Sequence, residues 1–218
     1  MVNGHQARMM ARILVVYIAL LSVVWSIEDA YGTLLLPLYQ WVIELVQPTL
    51  NVQDIFLKEN NGQTLFHFFV ETASPVLVGD QILPVGFRLS ASTLAGHASQ
   101  HVLIILCIAA GWPASRWLEY SIRAVAVILM LIFVECVDIP MVIAGSIWDL
   151  LLANLAPGEL PSNFLVNWMH LMNGGGRIAV SIAAALLAVS FSRYIVVVFG
   201  GGNCSSGTIQ NVNCSPQQ

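Results

Sequence analysis

Two carboxylates stand inside one of the most apolar stretches of this sequence. Glu135 and Asp138 lie in the run that follows Arg123 and continues through Ala144, three residues apart. A helix through them would present both on one face. His97 and His101 are four apart at the head of another apolar run, and Arg177 opens a third that ends at Phe199. Charged groups within such runs are costly and are functional candidates by default. At about 1.5 Å per helical residue, Asp138 lies roughly 22 Å beyond Arg123, and His101 lies roughly 22 Å from Arg116. Glu135, Asp138, His101 and Arg177 can therefore share one level of a helix bundle. Such a cluster could be a proton-linked binding site or a catalytic site. The competing reading is a structural ion pair, in which Arg177 lowers the cost of Asp138 or Glu135 and orients the helices. His97, His101 and Asp138 could also ligate a metal. Without an HExxH pattern, however, no metal site and no cofactor is assigned.

Other reactive types carry less. Gly174-Gly175-Gly176 precedes a helix but has neither GxGxxG nor Walker spacing. Its amides, with Arg177, could hold an anion, and a hinge is the plainer reading. Cys107 and Cys136 lie in apolar runs and read as small buried residues. Cys204 and Cys214 fall in a polar tail, and their spacing fits no zinc motif. No Cys-His or Ser-His-Asp set stands out, so no catalytic residue and no enzymatic activity is assigned.

The elements that must position these groups follow from composition. Of 218 residues, 57% are hydrophobic and 9% are charged. A soluble domain carries about 25% charged residues, so this chain cannot cover a soluble surface. The same scarcity excludes a nucleic-acid binder, which needs a basic stripe. The sequence predicts a mainly α membrane protein with four transmembrane helices. The first runs from Ile13 to Ile27, the second from about Ser99 (beginning near Ser92) to Trp112. The third starts after Arg123, and the fourth after Arg177. A signal peptide competes for the first, but no small-x-small site follows it, and an uncleaved anchor is expected. With the N-terminus in the cytoplasm, Arg8, Arg12, Arg116, Arg123 and Arg193 all fall inside, as the positive-inside rule requires. Most acidic residues then face outward, and both termini are cytoplasmic. The expected location is the inner membrane of a bacterium.

The expected organisation is an anchor over 1–28, an interfacial amphipathic helix over 29–48, and a periplasmic β-meander over 49–90. A three-helix bundle over 91–199, with a periplasmic loop at 145–176, and a disordered cytoplasmic tail over 200–218 complete it. Thr33, Pro37, Gln40 and Glu44 form one polar helical stripe. That helix is expected to lie at the outer interface with Tyr39 and Trp41 at headgroup level. A helix packed on the meander is the alternative. Asn61-Gly62 signals a type I′ hairpin. Its register would pair Leu57 with Phe66, Ile55 with Phe68 and Gln53 with Val70 on the inward face. A third strand is expected at Ile82–Leu89, on an edge because of Pro84. A meander of this size cannot hold a robust core alone and must lean on the membrane, on a helix or on a partner.

Three stretches also suggest a family. Gly86-Phe87-Arg88-Leu89 leads into a run that ends at Gly111-Trp112-Pro113, and the last run opens with Asn173 through Arg177. With the anchor and outward meander, this layout resembles the small integral membrane proteins associated with exosortase H. The resemblance implies a role accessory to an envelope protein-sorting transpeptidase, and no functional residue is carried across with it. The expected function is an accessory or assembly subunit of an inner-membrane sorting, secretion or conjugation system. Its expected partners are membrane lipids and another membrane protein. The alternative is a small proton-coupled transporter or membrane enzyme using the Glu135/Asp138/His101/Arg177 cluster.

Overall fold

A computed structural model describes residues 4–114 and 116–200. The expectations for the tail, with Cys204 and Cys214, lie outside the described residues. The chain is mostly helical, with a small antiparallel sheet inserted after its first helix. The helices are α1 (Gly4–Val46), α2 (Gly96–Gly111), α3 (Trp117–Val137), α4 (Ile139–Leu155), α5 (Phe164–Leu171) and α6 (Arg177–Gly200). The strands are β1 (Leu50–Asn60), β2 (Gln63–Thr72), β3 (Val76–Val78), β4 (Gln81–Leu83) and β5 (Arg88–Leu94). Three helical stretches are long and apolar enough to cross a membrane: Met10–Val46, Trp117–Leu155 and Phe164–Phe199. The remaining apolar helix, α2, has 16 residues and spans about 24 Å.

The first correction concerns α1. It runs unbroken for 43 residues, about 64 Å, so there is no separate interfacial helix over 29–48. Thr33, Pro37 and Gln40 do form an exposed stripe, and Pro37 sits on it, where a lost amide bond is cheapest. The opposite face packs on the sheet rather than on lipid. Leu35, Tyr39 and Ile43 are buried there with Phe66 and Phe68. Tyr39, expected at headgroup level, has no exposed surface and meets Phe66 edge-to-face at 5.3 Å. The half-apolar inner face of the sheet needs a cover, and this end of α1 supplies it.

The sheet departs from expectation at two points. Leu57 faces Phe66 and Ile55 faces Phe68, but a bulge between Val52 and Asp54 puts Val52, not Gln53, opposite Val70. Val52 is buried and Gln53 exposed. The extra residue lets the apolar side chain turn inward where strict alternation would have buried an amide. The second point is the third strand. It is Arg88–Leu94, past the expected limit at 90, and it pairs with β2 to give the order β1-β2-β5. Val76–Val78 and Gln81–Leu83 form a separate small hairpin, with Pro84 in the loop that follows. Proline has no amide to give a ladder. Ser92, expected near the start of a membrane helix, lies in β5.

Two apolar cores divide the molecule. The sheet half buries the end of α1, the inner sheet face, Ile139, Val142, Ile143 and Ile147 of α4, and Val166 and Met169 of α5. The all-helical half buries Ile105 and Ala109 of α2, Ala126, Val127 and Val134 of α3, and Ala184, Ala185, Ala188 and Val189 of α6. Alanines on α6 let its neighbours approach closely. In the sheet half, α4 and α5 cross at Gly145. A methyl there would run into the Leu165 carbonyl and the Met169 side chain. Gly145→Ala is expected to destabilise by about 1–3 kcal/mol through overpacking, read as a lower thermal midpoint of the solubilised protein. An unchanged midpoint would mean that these helices do not cross there.

Candidate functional site

The level where the two cores meet is polar. The long runs of α3–α4 and α5–α6 both change course here. Pro140, the second residue of α4, cannot donate a helical bond across the joint. Asp138 is the joint, at φ −97° and ψ −82°. Glu135 therefore lies in the last turn of α3, whereas Asp138 is the joint itself, its amide bonded to the Val134 carbonyl at 3.0 Å and its carbonyl to the Val142 amide at 2.8 Å. The carbonyl of Val137 accepts from the Trp168 indole at 2.8 Å, which ties α5 to the joint. Between α5 and α6, residues Met172–Gly176 form a wide turn in which Gly175 has φ 107°. Only glycine takes that angle without strain.

Asp138 is the hub. Its Oδ1 and Oδ2 accept from Arg177 Nε at 3.0 and 2.8 Å, and Oδ2 also meets His101 Nε2 at 2.7 Å. The other ring nitrogen, Nδ1, lies 2.7 Å from Ser181 Oγ. Ser181 also lies 2.7 Å from the Arg177 carbonyl, one turn back on α6. Its single hydroxyl hydrogen has two acceptors in reach. If it goes to the carbonyl, Nδ1 must carry a hydrogen. If it goes to Nδ1, then Nε2 carries one and donates to Asp138. In both arrangements one hydrogen lies between Nε2 and the carboxylate. All of these groups are buried.

Glu135 belongs to a second set. Its Oε1 accepts from Tyr31 at 3.0 Å and its Oε2 from Tyr39 at 2.6 Å. The two tyrosines begin about 12 Å apart along α1, and their rings converge on the one carboxylate. Glu135, Asp138, His101 and Arg177 are thus brought to one level, in two sets, one closed by α1 and the other by α6. His97 stands one turn before His101 on α2 and makes no hydrogen bond among the described residues.

Three members escaped the sequence reading. Ser181 completes a Ser-His-Asp line, although no such set stood out, because its residues come from three distant segments. Ser181 and His101 have no exposed surface. Tyr31 and Tyr39 carried a usable signal. They lie eight apart, opposite the polar stripe of α1, and a phenol on a buried face needs a hydrogen-bond partner.

A second buried polar set closes the far end of the all-helical half. Glu119 and Arg123 of α3 pair there, both almost fully buried. Arg123 also donates to the carbonyls of Ala109 and Trp112, at 2.9 and 2.6 Å, which finishes the end of α2. Arg193 of α6 adds a contact to Glu119 at 3.5 Å and lies over the Trp112 ring. Arg123, one of the five arginines expected on the cytoplasmic side, is buried. Its partner Glu119 was overlooked, although its i, i+4 spacing from Arg123 is a standard pair.

Along α3 the two polar levels are 16 residues apart, about 24 Å. No protein-family model matches this chain, and no curated protein or solved structure is similar to it.

Proposed function

We propose that this chain is a multi-pass inner-membrane protein of a bacterium, with both termini in the cytoplasm. We further propose that it serves as an accessory or assembly subunit of an envelope system for protein sorting, secretion or conjugation. The observation that carries this reading is the fate of the buried carboxylates. Asp138 is taken up by Arg177 and His101, Glu135 by two tyrosines, and Glu119 by Arg123. A carrier or an enzyme needs such a group open to substrate, and these are spent on holding helices together. In the four-crossing arrangement α1, α2, α3 and α6 stand side by side, and the 16 residues of α2 make the shortest crossing. Arg116, Arg123 and Arg193 cluster at the end away from the sheet, where Gly111 approaches Ile13, the neighbour of Arg12. This grouping favours that end as the cytoplasmic one.

The sheet half then stands outside the membrane, with contact surface to spare. Phe56 and Phe69 stack at 6.0 Å on its outer face, with His67 beside them. Leu77 and Ile82 of the small hairpin are about two-thirds exposed. Apolar groups gathered this way are a common mark of protein contact. The experiment is a photo-crosslinking residue at Phe69 in intact cells, combined with thiol labelling. An adduct to an integral component of a sorting, secretion or conjugation complex is expected; adducts to lipid alone would refute the reading. Asn61→Cys should react with an impermeant thiol reagent, whereas Cys204 should react only after permeabilisation. Labelling of Cys204 in intact cells would overturn the orientation. A second reading, a proton-coupled or catalytic membrane protein, draws on the Ser181–His101–Asp138 line.

A further inference from the structure

The end of the bundle away from the sheet carries an unbalanced charge. Over positions 10–27, 102–134 and 180–199 the charged residues are Arg12, Arg116, Arg123, Arg193 and a single carboxylate, Glu119. Glu119 is paired with Arg123 and approached by Arg193. Arg12 and Arg116 are exposed and make no hydrogen bond or ion pair among the described residues. The close approach of Gly111 to Ile13 brings the Arg12 end of α1 to the same level. Aromatic side chains ring that level. Trp117 is 88% exposed and lies 6.1 Å from the Tyr120 ring, and Tyr194 is exposed on α6. Such rings at the end of an apolar bundle mark the headgroup level of a bilayer.

A groove of about 190 Å3 opens beside these groups, between α2 and α3. Leu106, Ala109 and Ala110 form one wall, and Tyr120, Ala124 and Val127 form the other. Arg123 lies at the Tyr120 end, with its guanidinium 5.6 Å from that ring. Tyr120 and Val127 are about 10 Å apart along α3, so the groove runs from the aromatic level into the apolar stretch. Beyond the Tyr120 end its lining is wholly apolar. Arg116 stands four residues before Tyr120, at the start of α3. An uncompensated cation thus sits at the headgroup end of a slot whose other end is hydrocarbon.

We propose that this groove holds one acyl chain of an anionic glycerophospholipid, whose phosphate is met by Arg116 and the Tyr120 hydroxyl. The charge of this end selects the occupant. A zwitterionic lipid brings no net charge to answer the arginines. An apolar helix of a partner would fill the groove but leave Arg116 without a counter-charge. A guanidinium suits a phosphate, because its planar fork bonds two oxygens at once. The groove takes the chain, and the arginine takes the headgroup. The inference rests on the membrane reading above, and its test separates the two.

The full chain is placed in nanodiscs of equal phosphatidylglycerol, phosphatidylethanolamine and phosphatidylcholine, and the lipid it retains is identified by native mass spectrometry. Retention of one phosphatidylglycerol, about fivefold over each of the others, is expected from one basic residue at an anionic headgroup. Arg116→Gln should abolish the preference. Ala124→Leu should displace the lipid by filling the groove. Ala124 is exposed, so the thermal midpoint should stay at the parent value. Ala110→Leu, on the other wall and also exposed, should do the same, which keeps the test open if one variant folds poorly. Arg12→Gln removes the same charge from α1 and should leave the preference intact. Equal losses from Arg12→Gln and Arg116→Gln would mean a diffuse attraction and would overturn the site. Equal retention of all three lipids by folded, membrane-inserted protein would also overturn it. A photo-crosslinking residue at Leu106 should form adducts with anionic phospholipid in intact cells; adducts with a polypeptide alone would assign the groove to a partner helix and overturn the proposal. Release of the chain from membranes by alkaline carbonate would instead overturn the membrane reading.

Discussion

Asp138→Leu is expected to destabilise the protein by about 3–5 kcal/mol, the usual cost of stranding one member of a buried ion pair. Arg177 would keep its charge in a site where it is 4% exposed. Its Nε would lose both carboxylate oxygens, and His101 would lose the partner of Nε2. The thermal midpoint of the solubilised protein should fall sharply, and proteolysis should cut first near the joint between α3 and α4. A double variant decides what the set is for. Asp138→Leu with Arg177→Met replaces the pair by apolar groups of similar size, and such replacements often recover stability. Recovered stability with intact partner binding supports the structural role argued above. Recovered stability with lost cellular function would favour the second reading, in which the Ser181–His101–Asp138 line moves a proton. A single variant as stable as the parent would remove Asp138 from its place as hub.

Arg123→Ala should cost a similar amount, about 3–5 kcal/mol, at the opposite end of the bundle. Three losses coincide. Glu119, 2% exposed, loses its nearest cation, and the carbonyls of Ala109 and Trp112 lose their donor. Arg123→Lys should recover only part of the loss, because one ammonium cannot reproduce a planar fork reaching a carboxylate and two carbonyls. Arg193→Ala is the internal control. Its side chain is 46% exposed and its contact to Glu119 is 3.5 Å, so it should cost no more than about 1 kcal/mol. Midpoints for the three variants in one detergent give the comparison. Equal effects of Arg123→Ala and Arg193→Ala would show that the far end of the bundle is not closed as described.

The expectations that matched rested on local physics. Asn61-Gly62 adopts φ of 52° and 75°, and the pairing it imposes holds for Leu57 and Ile55 because a two-residue turn fixes its own register. The slip at Gln53 came from farther away. The bulge answers the need to bury Val52 against α1, which a strand read by itself does not reveal. The third strand went astray for a related reason. Ile82–Leu89 looks strand-like, but β2 takes as its neighbour the segment that carries the chain directly into α2.

Composition by itself determined that this chain has too few charges for a soluble surface, and its apolar runs marked the segments that became long helices. Those are sums over neighbouring residues and need no partner. The spacing of charges along those runs also singled out Glu135, Asp138, His101 and Arg177, since depth in a helix scales with residue number. Which group pairs with which was decided only in the tertiary structure. Asp138 stands at the joint of α3 and α4, and there it meets Arg177 and His101. Glu135 is met by Tyr31 and Tyr39, because α1 ran on unbroken to pack on the sheet. A buried charge takes the donor that packing brings within hydrogen-bond reach, and packing joins segments a hundred residues apart.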